Sequence, residues 1–302
     1  EFMKLANSAG AAGATGVSDA VKPPLIHSFM QVKGQKALVI MPDEASAVRM
    51  SENLGAVQAG VLFYPSREFT FQQVAGVSRD FEHIRLGVLS KILADEYTAV
   101  VCSVNAACQF TMPPNELSKR TVTIRSGDMT DPYELAQKLV YAGYSRYEQV
   151  DGTSQFAVRG GIIDIFPPGF SEPVRLEFWG DTVDTISSFD PATQRRTGKL
   201  SEIEIIPATE VLFESNEAFQ KSLEKLAASL KGKAIKAREG LLSDADGLKN
   251  GVSPACCDKY MPLAYQSNGI FDYFKGILIV CESAKVKERA QNSVKLMNEQ
   301  VK

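Results

Sequence analysis

Two kinds of hydrophobic pattern alternate along the first third of the chain. Lys36–Met41, Val61–Tyr64 and Thr98–Val104 are short and almost continuously apolar. Between them lie helical segments. One opens at Pro42-Asp43 and runs to about Leu54. The other runs from about Arg79 to Ala94, with Phe81, Ile84, Val88, Leu89 and Ile92 as its apolar positions. Continuous apolar strands separated by helices predict a parallel sheet covered on both faces.

The pattern changes after Met112-Pro113-Pro114. Lys119–Arg125 alternates as a half-buried strand does. Asp131-Pro132 predicts a helix start, with Asp as the N-cap and Pro in the first turn, and Gly143 predicts its stop. Three close-set strand runs follow between Phe156 and Ile206. In one of them Val174, Leu176 and Phe178 alternate with Arg175, Glu177 and Trp179. Neighbours on a strand face opposite ways, so one face is apolar and the other carries arginine, glutamate and the chain's single tryptophan. Gly180-Asp181 predicts a hairpin turn. An exposed Trp beside Arg is the composition of a protein-binding hot spot. A second covering layer would instead make Trp179 core, and periodicity alone leaves both readings open.

These signals predict a small α+β domain over about 119–207, inserted into a larger domain. Beyond it, Phe213 to about Arg238 reads as one charged amphipathic helix and 239–275 as irregular. Gly276–Val280 is again a buried strand, expected to rejoin the first sheet, and the chain from Lys285 onward is helical and charged.

Composition narrows the function classes. With 44% hydrophobic and 23% charged residues the chain is that of an ordinary globular protein. A net charge of −3 argues against a dominant nucleic-acid surface. There is no apolar run of membrane-spanning length and no secretory leader, so the expected location is the cytoplasm. Glu1-Phe2-Met3 reads as a vector-derived addition, and the charged helical end at Val301-Lys302 suggests a fragment. The five cysteines include no C-x-x-C pair, which signals neither zinc nor a disulfide framework. The vicinal Cys256-Cys257 read as small buried thiols in a reducing compartment. His27 and His83 are the only histidines, and no triad order suggests itself. His83 is expected on the surface and Asp181 and Asp184 in solvent around the hairpin.

Three blocks carry a family resemblance: Arg159–Pro167, Arg175–Ile186 and Phe189-Asp190. They resemble the second domain of bacterial UvrB and of the UvrB-like amino-terminal module of transcription-repair coupling factors. The likeness continues through Phe63–Phe69, Glu82–Arg85 and Ile277–Ser283, so it covers most of the chain. It implies an α/β fold: a degenerate helicase-type (RecA-like) parallel-sheet domain with an inserted small α+β domain. The implied divisions are 1–118, 119–207 and 208–302, the last returning to the first sheet near 276–281. It also implies a partner, the damage-recognition subunit UvrA, contacted through Arg159, Arg175 and Trp179. RNA polymerase, DNA and ATP would be engaged by other domains of a full-length, ATP-dependent DNA translocase. No cofactor or metal is implied for this chain itself.

Helicase ancestry raises the question of nucleotide chemistry. A P-loop, G-x-x-x-x-G-K-[ST], needs glycines so that amides face the phosphates, a lysine to neutralise them and a hydroxyl for Mg²⁺. In Ser8–Ala20, aligned on Gly16 and Ser18, the lysine position is Val17. The first glycine position is Ala11, next to Gly10. In Ile277–Ser283, Cys281 stands where a Mg²⁺-directed Asp belongs, and Glu282 stands alone. A thiol is a poor ligand for a hard cation. Both departures predict a module without nucleotide chemistry. They separate it from UvrB, as does the short interval between Tyr64 and Arg79, which lacks UvrB's aromatic-rich DNA-gripping hairpin. The competing reading is a fragment of a UvrB-type ATP-dependent damage-binding enzyme, which would need Lys at 17, an acid at 281 and that hairpin.

Overall fold

The structure is a computed structural model. It describes residues 11–67, 79–230, 235–250, 254, 257–265 and 267–300, with side chains to 295. Gly10, Glu68, Phe69, Cys256, the terminal Glu1-Phe2-Met3 and Val301-Lys302 lie outside the described residues. The chain forms two compact units. One comprises 1–67, 91–109 and 273–302, the other 68–90 and 110–272. The stretch 208–302 is therefore divided, 208–272 in the second unit and 273–302 in the first.

The first unit is built on a parallel sheet of β1 (Ala37–Met41), β2 (Val61–Tyr64), β3 (Ala99–Ser103) and β12 (Ile277–Val280) in the order β12-β1-β3-β2. The returning strand pairs in register with the first, Leu38 opposite Leu278 and Ile40 opposite Val280. All five residues of β1 and of β3 are buried, as their unbroken apolar sequence requires. Helix α1 (Lys22–Lys33) has proline at its start and ends at Gly34 with φ 59°, a left-handed cap that glycine adopts without cost. Helix α2 (Glu44–Gly55) is capped by Asp43, whose carboxylate accepts the Ser46 amide at 2.9 Å. The sheet's core gathers Val39, Val101, Met50 and Leu54 with Ile26 and Met30 of α1.

Helix α3 (Asp80–Leu93) contributes its residues up to Ser90 to the second unit. There it buries Leu86, Val88 and Leu89 and, with them, polar side chains. Arg85 and Glu210 are fully buried and paired at 2.6 Å, and Thr111 donates to the other Glu210 oxygen at 2.9 Å. Glu82 accepts from the Thr209 hydroxyl and the Glu210 amide, each at 2.6 Å. Burial raises the Glu82 pKa, and the nearby Glu210 charge adds to the rise. A buried pair of this kind fixes geometry more than it adds stability. It ties the 209–210 segment to the helix.

The alternating runs read from the sequence fall among the unit's described strands. A six-stranded sheet runs β10-β9-β8-β7-β6-β5, formed from β5 (Ser145–Arg146), β6 (Gln155–Arg159), β7 (Ile162–Ile165), β8 (Val174–Trp179), β9 (Thr182–Phe189) and β10 (Arg196–Leu200). β4 (Val122–Arg125) pairs antiparallel with β11 (Glu202–Ile205). Helix α6 (Pro132–Tyr141) follows the Asp131 cap, which accepts the Tyr133 amide at 2.7 Å. Its Leu135 and Leu139 join Phe156, Ile163, Val174, Leu176 and Ile186 in one apolar core.

The region read as one helix and then a loop differs. Two helices, α7 (Asn216–Ser229) and α8 (Ile235–Lys249), share a separate core of Phe219, Leu223, Leu241, Ala245 and Leu248 with Tyr260. Gly240 and Gly247 disguised α8, because each interrupts the helical pattern while the apolar positions 241, 245 and 248 still fall on one face.

Candidate functional site

The antiparallel register sorts the six-stranded sheet into two faces. Val158, Ile163, Leu176 and Ile186 lie in one inward row. On the opposite face Asp164, Arg175 and Ser187 form one row and Arg159, Ile162, Glu177 and Thr185 the next. The sequence's alternation at Val174–Trp179 is thus realised, and β8 carries Arg175, Glu177 and Trp179 along one line.

That line runs from covered to open. The Arg175 side chain is 14% exposed, Glu177 26%, and Trp179 as a residue 84%. Trp179 stands in solvent, which settles the choice left by periodicity.

The two arginines differ from the expected picture of a pair of outward cations. Both converge on Asp164, which is 1% exposed. Arg175 grips it bidentately, Nε to Oδ1 at 2.6 Å and Nη2 to Oδ2 at 2.9 Å. It also donates to Gln194 at 2.9 Å and stacks its guanidinium 4.4 Å from the Phe189 ring centre. The hydrogen bonds to Asp164 drive the Arg175 pKa further up. Its donors are therefore largely consumed inside the domain. Arg159 hydrogen-bonds the same carboxylate through Nη2, but its side chain is 45% exposed. Arg196 is 54% exposed and pairs with Glu177. The outward cations of this face are Arg159, Arg196 and Lys199, the last opposite Ser187, while Arg175 shares Asp164 with Arg159 and is held inward. Asp164 was the missed residue. Its signal was present, a lone carboxylate in the apolar run GIIDIF.

His83 is buried, contrary to its expected surface position. Its Nε2 lies 2.8 Å from the Ser154 hydroxyl. Amphipathic spacing could not reveal this, because the partner comes from a loop 71 residues away. Burial first, and the Arg79 charge second, hold its pKa below the ordinary value of 6.5. The unfolded chain then takes up the proton before the folded one. This site's contribution is complete above the unfolded pKa and is lost as pH falls toward the folded value. We expect the wild-type Tm to drop between about pH 7.5 and about pH 5.5 more than that of His83→Gln. Equal drops in thermal melts would refute this.

In the first unit the residues read from the sequence as a degenerate nucleotide site lie beside a set of ion pairs. Gly16 has φ 72°, and Val17 and Ser18 follow it toward α1. No lysine stands at 17, but Lys22, 9% exposed, enters from the first turn of α1. Its Nζ is 2.7 Å from Asp19 and 2.5 Å from Glu282. Glu282, without an aspartate before it, has lysine partners instead. It also meets Lys285 at 3.2 Å and sits at φ 56°. The Lys22 hydrogen bond, then that of Lys285, keeps its carboxyl below the usual range. Cys281 is buried and its thiol is pushed up by that burial. The thiol lies near Lys22, whose ammonium is shared between Asp19 and Glu282. Among the described residues no group of His, Cys, Asp and Glu is arranged to hold a metal.

Residues 122–211 match the family model of the UvrB interaction domain. The transcription-repair-coupling factor of Bacillus subtilis (strain 168) is 30% identical over 287 residues, 90% of this chain and 24% of that protein. That of Myxococcus xanthus is 31% identical over 196 residues, 63% of this chain and 16% of that protein. UvrABC system protein B of Thermotoga neapolitana is 25% identical over 231 residues, 72% of this chain and 34% of that protein. The chain thus spans about a quarter of the Bacillus relative.

Proposed function

From a chain that contains a UvrB interaction domain and is a homologue of transcription-repair-coupling factors, we infer a UvrB-like recruitment module that binds UvrA and itself performs no nucleotide chemistry. The observation that carries this reading is the open end of the sheet's polar face. Trp179, 84% exposed, stands on the same face as the half-exposed Arg159. A tryptophan in water is costly to maintain unless a partner covers it, and Trp with Arg is the pairing that dominates interface energetics. Arg159 keeps donors for a partner's carboxylate. Arg175 acts through Asp164, holding the strands that present the other two. In the full-length protein the same recruitment would bring UvrA to RNA polymerase stalled on DNA, through domains outside this chain.

The competing reading, an ATP-dependent damage-binding enzyme, is disfavoured by Val17 and Cys281 in the positions it needs as lysine and acid, and by the pairing of the nearby Lys22 with Glu282. Titrating ATP with Mg²⁺ into the chain should give no saturable heat, and a micromolar isotherm would favour the enzyme. The recruitment reading is tested by titrating purified UvrA onto the immobilised chain. Saturable binding is expected, and its absence with UvrA of demonstrated ATPase activity would overturn the reading.

A further inference from the structure

Of the exposed large apolar side chains among the described residues, Met129 at 84%, Trp179 at 84% and Tyr133 at 79% are the most exposed. The fold brings them to one corner. Trp179 opposes Thr182 across the β8–β9 hairpin, and Thr182 opposes Met129 in an isolated antiparallel bridge. The bridge is anchored by the Thr130 amide to the Asp181 carbonyl at 2.7 Å and the Val183 amide to the Asp128 carbonyl at 2.9 Å. Directly opposed residues of antiparallel strands project to the same side. Trp179, Thr182 and Met129 therefore form a third row on the face that already carries Arg175 and Arg159. Strands about 4.8 Å apart place the Trp179 and Met129 backbones about 10 Å from each other. Tyr133 enters from the first turn of α6, four residues after Met129.

Carboxylates predominate in the segments that carry this row. Segments 126–134 and 179–186 contain Asp128, Asp131, Glu134, Asp181 and Asp184 and neither lysine nor arginine. Asp128 and Asp131 spend a carboxylate oxygen on the Arg125 and Tyr133 amides. Glu134, Asp181 and Asp184 are exposed. The cations of the face, Arg159, Arg196 and Lys199, belong to the neighbouring strands, and Arg125, which precedes the first segment, is paired with Glu202. The face thus has a cationic part and an acid-rimmed apolar corner.

We propose that Met129 and Tyr133 complete the docking surface with Trp179, and that the partner covers this corner with an apolar socket bordered by lysine or arginine. The inference rests on the recruitment reading and names the chemistry of its contact. Desolvated aromatic and thioether anchors with a polar rim have the anatomy of a stable interface, and the acid rim selects a basic border and steers its approach.

The test uses the described chain and UvrA as the probe. Met129→Glu should weaken binding at least tenfold and Tyr133→Ala several-fold, with thermal melts unchanged because both side chains lie in solvent. Asp181→Asn with Asp184→Asn should weaken binding and flatten its salt dependence. If Trp179→Ala abolishes binding while Met129→Glu and Tyr133→Ala bind as wild type, this inference falls and the recruitment reading stands. If UvrA does not bind the wild-type chain, the recruitment reading falls and takes the corner with it. Sedimentation showing a dimer that Met129→Glu dissociates would make the corner a self-interface and overturn the proposal.

Discussion

Replacing Arg175 by alanine should destabilise the fold by roughly 3 kcal/mol, the low end for breaking a buried ion pair from one side. Its partner Asp164 is 1% exposed and cannot be rehydrated where it sits. Losing Arg175 removes two of its hydrogen bonds and leaves only the one from Arg159. It also uncovers Phe189, on which the guanidinium stacks. Arg159→Ala should cost under about 1 kcal/mol, since its side chain is half in water and the bidentate grip remains. Removing both partners of the buried pair, as Asp164→Leu with Arg175→Met, should recover much of the loss, because it is the orphaned charge that costs most. Urea unfolding followed by circular dichroism separates these outcomes. An Arg175→Ala midpoint equal to wild type would mean that Asp164 is not dependent on the pair. The consequence for function is practical: weakened UvrA binding by Arg175→Ala cannot be read as a lost contact until its fold is verified.

Trp179→Ala should do the opposite, weakening UvrA binding about thirtyfold, the equivalent of ~2 kcal/mol for a central hot spot, while leaving stability alone. The side chain is 84% exposed, so its removal opens no cavity. Arg159→Ala should show a similar split with a smaller binding loss. Lys225→Glu, a change on the exposed side of α7, is the control and should bind as wild type. Unaltered affinity in Trp179→Ala would move the docking site off this face. A lowered Tm in the same variant would show that Trp179 packs against structure it is here seen to leave open.

The alternation of Val174–Trp179, the capped helix at Asp131-Pro132 and the unbroken strands at 36–41 and 98–104 could be read directly from the chain. In each case the signal is local: side-chain period follows backbone geometry within a few residues. The return of Ile277–Val280 to the first sheet is equally an expectation from a short apolar run, but its burial is not realised: β12 is an edge strand whose Leu278 and Val280 are exposed, because only one of its sides has a strand neighbour. Locality also explains why Val17 and Cys281 could be recognised as departures from a phosphate-binding pattern without any coordinates. The helix at Ile235–Lys249 escaped because two glycines weakened the only local signal it had.

What the tertiary structure alone decided is which polar groups meet. Arg159, Asp164 and Arg175 lie on three strands, and only register puts both guanidinium groups on one carboxylate. His83 found Ser154, and Lys22 found Glu282 across 260 residues. No sequence periodicity encodes such partners, because the energy that selects them is the avoidance of unpaired buried charge in a particular folded arrangement. The sequence by itself determined that one face of β8 would be polar and carry Trp179. Packing decided that Arg175 turns inward to hold that face together and that Trp179 is left in water with Met129 and Tyr133 beside it.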